Sequence, residues 1–145
     1  MADGLDATEC ARLLATEKDA GMGSLHWHET KVGGGVVMGR LPEIGLAVNP
    51  VPSEGHLLMS GQWKGPNDVQ LFLQILVNST QRNLARLCWN RHHQADLHWH
   101  WYLTPDGREQ RESVSDPPST VDNMSMMLEV FVPRLQITNY QASLT

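Results

Sequence analysis

The stretch Asn67–Trp89, NDVQLFLQILVNSTQRNLARLCW, decides how the chain is read, because no other segment is as long, as apolar or as free of Gly and Pro. Asn67 suits a helix N-cap, Gln70 stands three residues on where a capping-box partner belongs, and Pro66 and Leu71 fill the staple positions. Val69, Phe72, Leu73, Leu76, Leu84 and Leu87 recur at helical spacing, while Leu71 and Ile75 load a second face. The expectation is one long helix over 67–89. Two apolar stripes need cover on both sides, from a sheet beneath and from either a partner subunit or the chain's own loops above. A symmetric homodimer follows, crossing at Leu71, Ile75, Asn78 and Arg82, with the polar side chains Gln81, Asn83 and Arg86 confining the seam to the first turns.

At 145 residues the chain matches a single domain, 1–145, large enough for a core without disulfide or metal support. A net charge of −5 without a Lys/Arg cluster argues against nucleic acid as a partner. The acidic, polar start MADGLDATE does not resemble a signal peptide, and no run is long and apolar enough to span a bilayer, so no membrane partner and a cytoplasmic location are expected. Cys10 and Cys88 lack CxxC spacing and fall in two separate helical patterns, which suggests neither a zinc site nor a disulfide framework.

Asp6 and Glu9 mark a first short helix carrying Ala7, Cys10, Ala11 and Leu14 on one side, ended by Gly21 and Gly23. LHWHETKV, VVMGRL, EIGLAVN and HLLMSGQW then read as successive antiparallel strands, with Ile44, Leu46 and Val48 on one face and Leu57, Met59 and Trp63 on one face. Beyond the long helix, LHWHWYLT and REQRESV form a hairpin about Pro105-Asp106-Gly107, the second strand a charged edge. Trp99 and Trp101 are expected to be buried, with His98 and His100 more exposed. Ser119 and Asp122 open a last helix with Met124, Met127, Leu128 and Phe131 as its stripe, kinked or ended by Pro133. The expected fold class is α+β, a mostly antiparallel twisted sheet with helices packed on it, in the order helix–three strands–long helix–two strands–helix.

Two His-x-His pairs, His26/His28 and His98/His100, are the chemical candidates, since alternate strand residues project from one face. The ordinary reading is a row of solvated histidines opposite a core-facing Trp row. His26-Trp27-His28 is similar to the His-x-His fragment of the cupins, but the carboxylate and the later His motif of that family are missing. No nucleophile elbow or phosphate loop is present, and Gly33-Gly34-Gly35 reads as a turn; the chain is not read as an enzyme. Trp27, Trp63, Trp89, Trp99 and Trp101 either fill the core or line a groove for a partner strand.

The segment LPEIGLAVNPVPSEGHLLMSGQWKGPNDVQLFLQILVNSTQRNL, followed by LHWHWYLTPDG and VDNMSMMLEVFVPRL, resembles in element order the class I chaperones of bacterial type III secretion. That resemblance implies a cytoplasmic homodimer without catalysis, cofactor or metal. It would hold the N-terminal segment of a secreted effector export-competent, in grooves drawing on Trp27, Val37, Leu46, Val48, Leu58 and Trp63. A small cupin-like metal-dependent enzyme using the strand histidines and an unrelated protein-interaction domain are the rival expectations.

Overall fold

The 67–89 stretch is not a helix. In a computed structural model that describes residues 7–26, 28–32, 36–49, 52, 55–65, 68–90, 97–102, 109–114 and 124–143, the chain runs α1 (Ala7–Ala15), β1 (Lys18–His26), β2 (His28–Val32), β3 (Val36–Val48), β4 (His56–Gly65), β5 (Asp68–Val77), β6 (Thr80–Asn90), β7 (His98–Tyr102), β8 (Glu109–Ser113), α2 (Met124–Leu135) and β9 (Ile137–Ser143). The expected order with a long central helix is therefore overturned: among the described residues there are nine strands in one sheet and two short helices.

Alternation explains the correction. Val69, Leu71, Leu73, Ile75 and Val77 are buried while Gln70, Phe72, Gln74 and Leu76 are half-buried, a strict period of two. Asn78 and Ser79, at φ 50 and 67, supply the two left-handed residues of a tight hairpin turn, and Val77 pairs with Thr80 across it. Leu71 and Ile75, expected on an outward stripe between two copies, are 0% exposed within one chain. Asn78 lies in the turn, and Arg82 is half-buried on β6 opposite Ile75. A dimer seam on an exposed helical stripe thus has no counterpart in this fold.

The strands follow the order β8-β7-β6-β5-β4-β3-β1-β9, with β2 also paired to β3. β1 and β9 are parallel; the other described ladders are antiparallel. The two strands expected over 36–49 are one long β3, whose register against β4 shifts between Leu41 and Ile44, where Pro42 has no N–H to give the ladder. Gly21 and Gly23 do not end the first helix. They lie in β1, where the register shifts between Asp19 and Gly23, Gly21 takes φ 58, and Asp19 Oδ1 accepts from its N–H at 2.7 Å. β8 is the sheet's edge, with Gln110, Arg111, Glu112 and Ser113 exposed.

Both helices lie on one face. Cys10, Leu13 and Leu14 of α1 and Met127, Leu128, Phe131, Val132 and Leu135 of α2 join Leu46, Val48, Leu57, Met59 and the buried row of β5 in one core. Trp99 and Trp101 stack at 4.7 Å on that face, Phe131 stacks on Trp99 at 5.8 Å, and the Arg134 guanidinium sits 4.7 Å over Trp101. The C-terminal ends of both helices meet at Lys18, which is 0% exposed; its Nζ donates to Leu14 O at 3.2 Å, Thr16 O at 2.8 Å and Leu135 O at 2.8 Å. No described helix is long and apolar enough to cross a membrane.

Candidate metal site on the polar face

The period of two that buries the apolar rows sends a second set of side chains to the opposite face. Ladder registers align Gln62, Gln70, Cys88, His98 and Ser113 across β4 to β8, and beside them Ser60, Phe72, Arg86, His100 and Arg111. Such rows bring side chains of neighbouring strands within about 5 Å of one another. The ring contacts of α2 go to the other face, yet this polar one is well shielded at its centre, with Cys88 4%, His98 4% and His100 8% exposed.

Three donor atoms converge there. Cys88 Sγ lies 3.2 Å from His98 Nε2, which lies 2.9 Å from His100 Nε2, and all three fall within 4.8 Å of one another. The imidazoles meet edge to face, 4.7 Å between centroids and 70° between planes. Cys88 and His98 are direct cross-strand partners and His100 follows two residues on, so the rigid β6–β7 ladder sets the spacing. Arg111 approaches from β8, one guanidinium nitrogen 3.5 Å from His98 Nδ1. An Arg is donor only, so a hydrogen bond here needs a lone pair on Nδ1, and Nε2 then carries the proton, with Cys88 Sγ and His100 Nε2 both in reach as acceptors. In that tautomer His98 takes no proton from Cys88, which argues against a thiol–imidazole nucleophile pair.

The donor set suits a borderline or soft transition ion. Bonds of about 2.0 Å to nitrogen and 2.3 Å to sulfur in a tetrahedral centre separate N from N by about 3.3 Å and S from N by about 3.5 Å. The observed 2.9 and 3.2 Å are each a few tenths of an ångström short of this, and the third pair, Cys88 with His100, lies within 4.8 Å and has to close toward about 3.5 Å as the rings rotate. Gln70, opposite Cys88 on β5, is the neighbouring side chain nearest in register to a fourth position.

The expected solvated histidines are thus corrected in one respect. Trp99 and Trp101 do face the core, but His98 and His100 on the opposite face are buried as well. The other pair takes no part: His26 ends β1 opposite Ser143, and His28 opens β2 opposite Arg40, five strand spacings or about 24 Å from β7. Cys88, taken from the sequence for a helical residue without a histidine partner, is the donor that sequence reasoning missed; only the β6–β7 register pairs it with His98. Of the side chains expected to bind a partner, Leu46 and Val48 are buried in the core, Leu58 is buried on the polar face opposite Gln74, Val37 and Trp63 lie on β3 and β4, and Trp27 is outside the described residues. Two shallow depressions, about 430 Å³ beside Gly55 and Leu76 and about 340 Å³ beside Thr16 and Ala47, lie away from the cluster and gather no comparable chemistry. No family model, curated protein or solved structure matches this chain.

Proposed function

We propose that the protein binds a single transition-metal ion, zinc being the simplest fit, through Cys88, His98 and His100, and keeps one coordination position for an exchangeable ligand. The observation that supports this is the convergence of one thiol and two imidazole Nε2 atoms within 4.8 Å on adjacent strands of a rigid ladder. Three protein ligands with one open position are the pattern of catalytic zinc, whereas structural zinc is closed by four. Of the earlier alternatives, this is nearest to the metal-dependent reading, with histidines of β7 and a cysteine of β6 in place of the first His-x-His pair. The secretion-chaperone reading drew its support from a long dimer-forming helix, which the β5–β6 hairpin replaces.

Binding needs a thiolate and two free Nε2 lone pairs. The Cys88 proton is released and the His98 proton moves from Nε2 to Nδ1, so affinity rises with pH. Titration of metal-free protein with Co(II) should produce a thiolate-to-cobalt charge-transfer band that saturates at one equivalent and is lost on adding Zn(II). Cys88→Ser and His98→Ala should weaken binding by more than about a hundredfold, beyond what changes in the outer shell cost. His56→Ala, on an exposed position of β4, should leave it unaltered. A cobalt spectrum without the thiolate band would remove the proposal.

Arg111 gives a second, opposite expectation. Metal-bound histidines ordinarily donate their outer N–H to a carboxylate or carbonyl, and here a guanidinium stands at that place. Arg111→Glu, on the exposed edge strand, should tighten Co(II) binding by about tenfold or more by accepting from His98 Nδ1. Weaker binding in that variant would mean that His98 ligates through the other nitrogen or not at all.

A further inference from the structure

We propose that the open position of the Cys88–His98–His100 centre takes a small oxyanion, carboxylate or phosphate in class, clamped by Arg86 and Arg111. This rests on the metal reading and names the ligand of the same site.

Arg86 and Arg111 are the direct cross-strand partners of His100, one on β6 and one on β8, so a guanidinium stands on either side of a ligand imidazole on the face that carries all three donors. Arg86 is half-buried, and its Nε is enclosed without a hydrogen-bond partner among the described residues. An enclosed donor left unpaired is costly, and a ligand acceptor relieves that cost. The remaining described members of the two rows, Gln62, Gln70, Ser60, Phe72 and Ser113, carry no charge. Asp68 stands two residues from Gln70, opposite Asn90 at the start of β5, and Glu109 stands two residues from Arg111 at the start of β8. Neither acid is in the two rows that hold the ligands; each stands in the row next to one of them. A divalent ion held by one thiolate leaves a net positive centre, and two guanidinium groups raise it further, so an anion is favoured over water or a neutral ligand.

Metal and anion are coupled through Arg111. In the metal-free protein its guanidinium faces the His98 Nδ1 lone pair. With His98 ligating through Nε2, its ring proton would sit on Nδ1 and oppose the donor-only guanidinium, which would then be released to an anion. Metal binding therefore strengthens anion binding, and reciprocally.

The test uses the full chain loaded with Co(II), titrated at constant ionic strength with malonate in one arm and inorganic phosphate in the other, following the visible cobalt bands. A saturable spectral shift is expected in one arm or both, and the arm with the higher affinity identifies the class. Arg86→Gln should weaken the anion by about tenfold to a hundredfold. Its Co(II) affinity without anion should not fall, because a neighbouring positive charge has been removed, and that titration also reports that the variant folds. Arg86→Lys, which keeps the charge and loses the planar fork, should fall between the two. A thiolate–cobalt band that neither malonate nor phosphate perturbs would overturn the anion site and leave the metal reading standing. Absence of the thiolate band would overturn both. Equal anion affinity in wild type and Arg86→Gln would also overturn the clamp.

Discussion

Leu71→Asp is expected to unfold the protein, whereas Leu76→Asp is expected to leave it folded. Leu71 is 0% exposed, between Gly61 and Leu87 on the core face, while Leu76 is half-buried on the other face opposite His56 and Gln81. Emptying a leucine site in a packed core costs about 2–5 kcal/mol, and an unpaired carboxylate in its place adds several more. That sum rivals the whole stability of an ordinary domain, about 5–15 kcal/mol. Aspartate at position 76 keeps contact with water and should cost about 1–2 kcal/mol. A helix over this stretch reverses the order, since Leu76 would then face the sheet and Leu71 the partner, and Leu71→Asp would give a folded monomer. Urea unfolding followed by circular dichroism separates the two outcomes.

The misreading of 67–89 has a physical origin. From Val69 to Val77 only Gln70 and Gln74 are polar, so the apolar set satisfies a helical period and a period of two alike. Phe72 and Leu76, on the second face, blur the alternation because that face is itself half-buried. Asn78-Ser79 is a hairpin turn without the glycine that ordinarily marks one, although Asn tolerates the left-handed region. Asn67 and Gln70 offered a capping box, but cap residues are turn residues too, and here β5 begins at Asp68. Shorter segments were easier. The stripe of α2 through Met127, Leu128, Phe131 and Leu135, and the β7–β8 hairpin with its charged outer strand, follow from patterns with only one reading.

The candidate site was half legible. Alternation in β7 puts His98 and His100 on one face, and that much is local. Which residue meets them depends on the β6–β7 register, a non-local quantity, and with β6 taken for helix Cys88 could not be matched to His98. Burial was also misjudged. An antiparallel strand with one apolar face ordinarily shows the other to water, whereas here His98 and His100 are 4% and 8% exposed. β9 was invisible for a related reason: its partner β1 lies more than a hundred residues earlier, and Gln136 at φ 56 ends α2 so that Ile137 can enter the ladder beside Lys18.

Lys18→Met is expected to destabilise the protein by about 2–4 kcal/mol at neutral pH, with the difference from wild type growing as pH rises from 8 to 10.5. The Lys18 ammonium gives all three of its protons to carbonyls, two at the end of α1 and one at the end of α2, and Met would leave them unpaired in the interior. Helix C-termini favour a cation, but the Nζ partners among the described residues are all neutral carbonyls, and burial lowers the Lys18 pKa from 10.5 to about 8. The sign follows from linkage. Between pH 8 and 10.5 the unfolded chain holds the proton and the folded chain does not, so stability rises with pH through this window. Below pH 8 both states are protonated and the cost of the buried charge is present in full; above 10.5 it is gone, a change on the order of 3 kcal/mol. The measurement is a difference, urea unfolding of wild type and Lys18→Met at matched pH. A gap that narrows above pH 8 would show that the three carbonyls hold the ammonium more strongly than burial expels it, and would make Lys18 a charged clamp throughout the alkaline range.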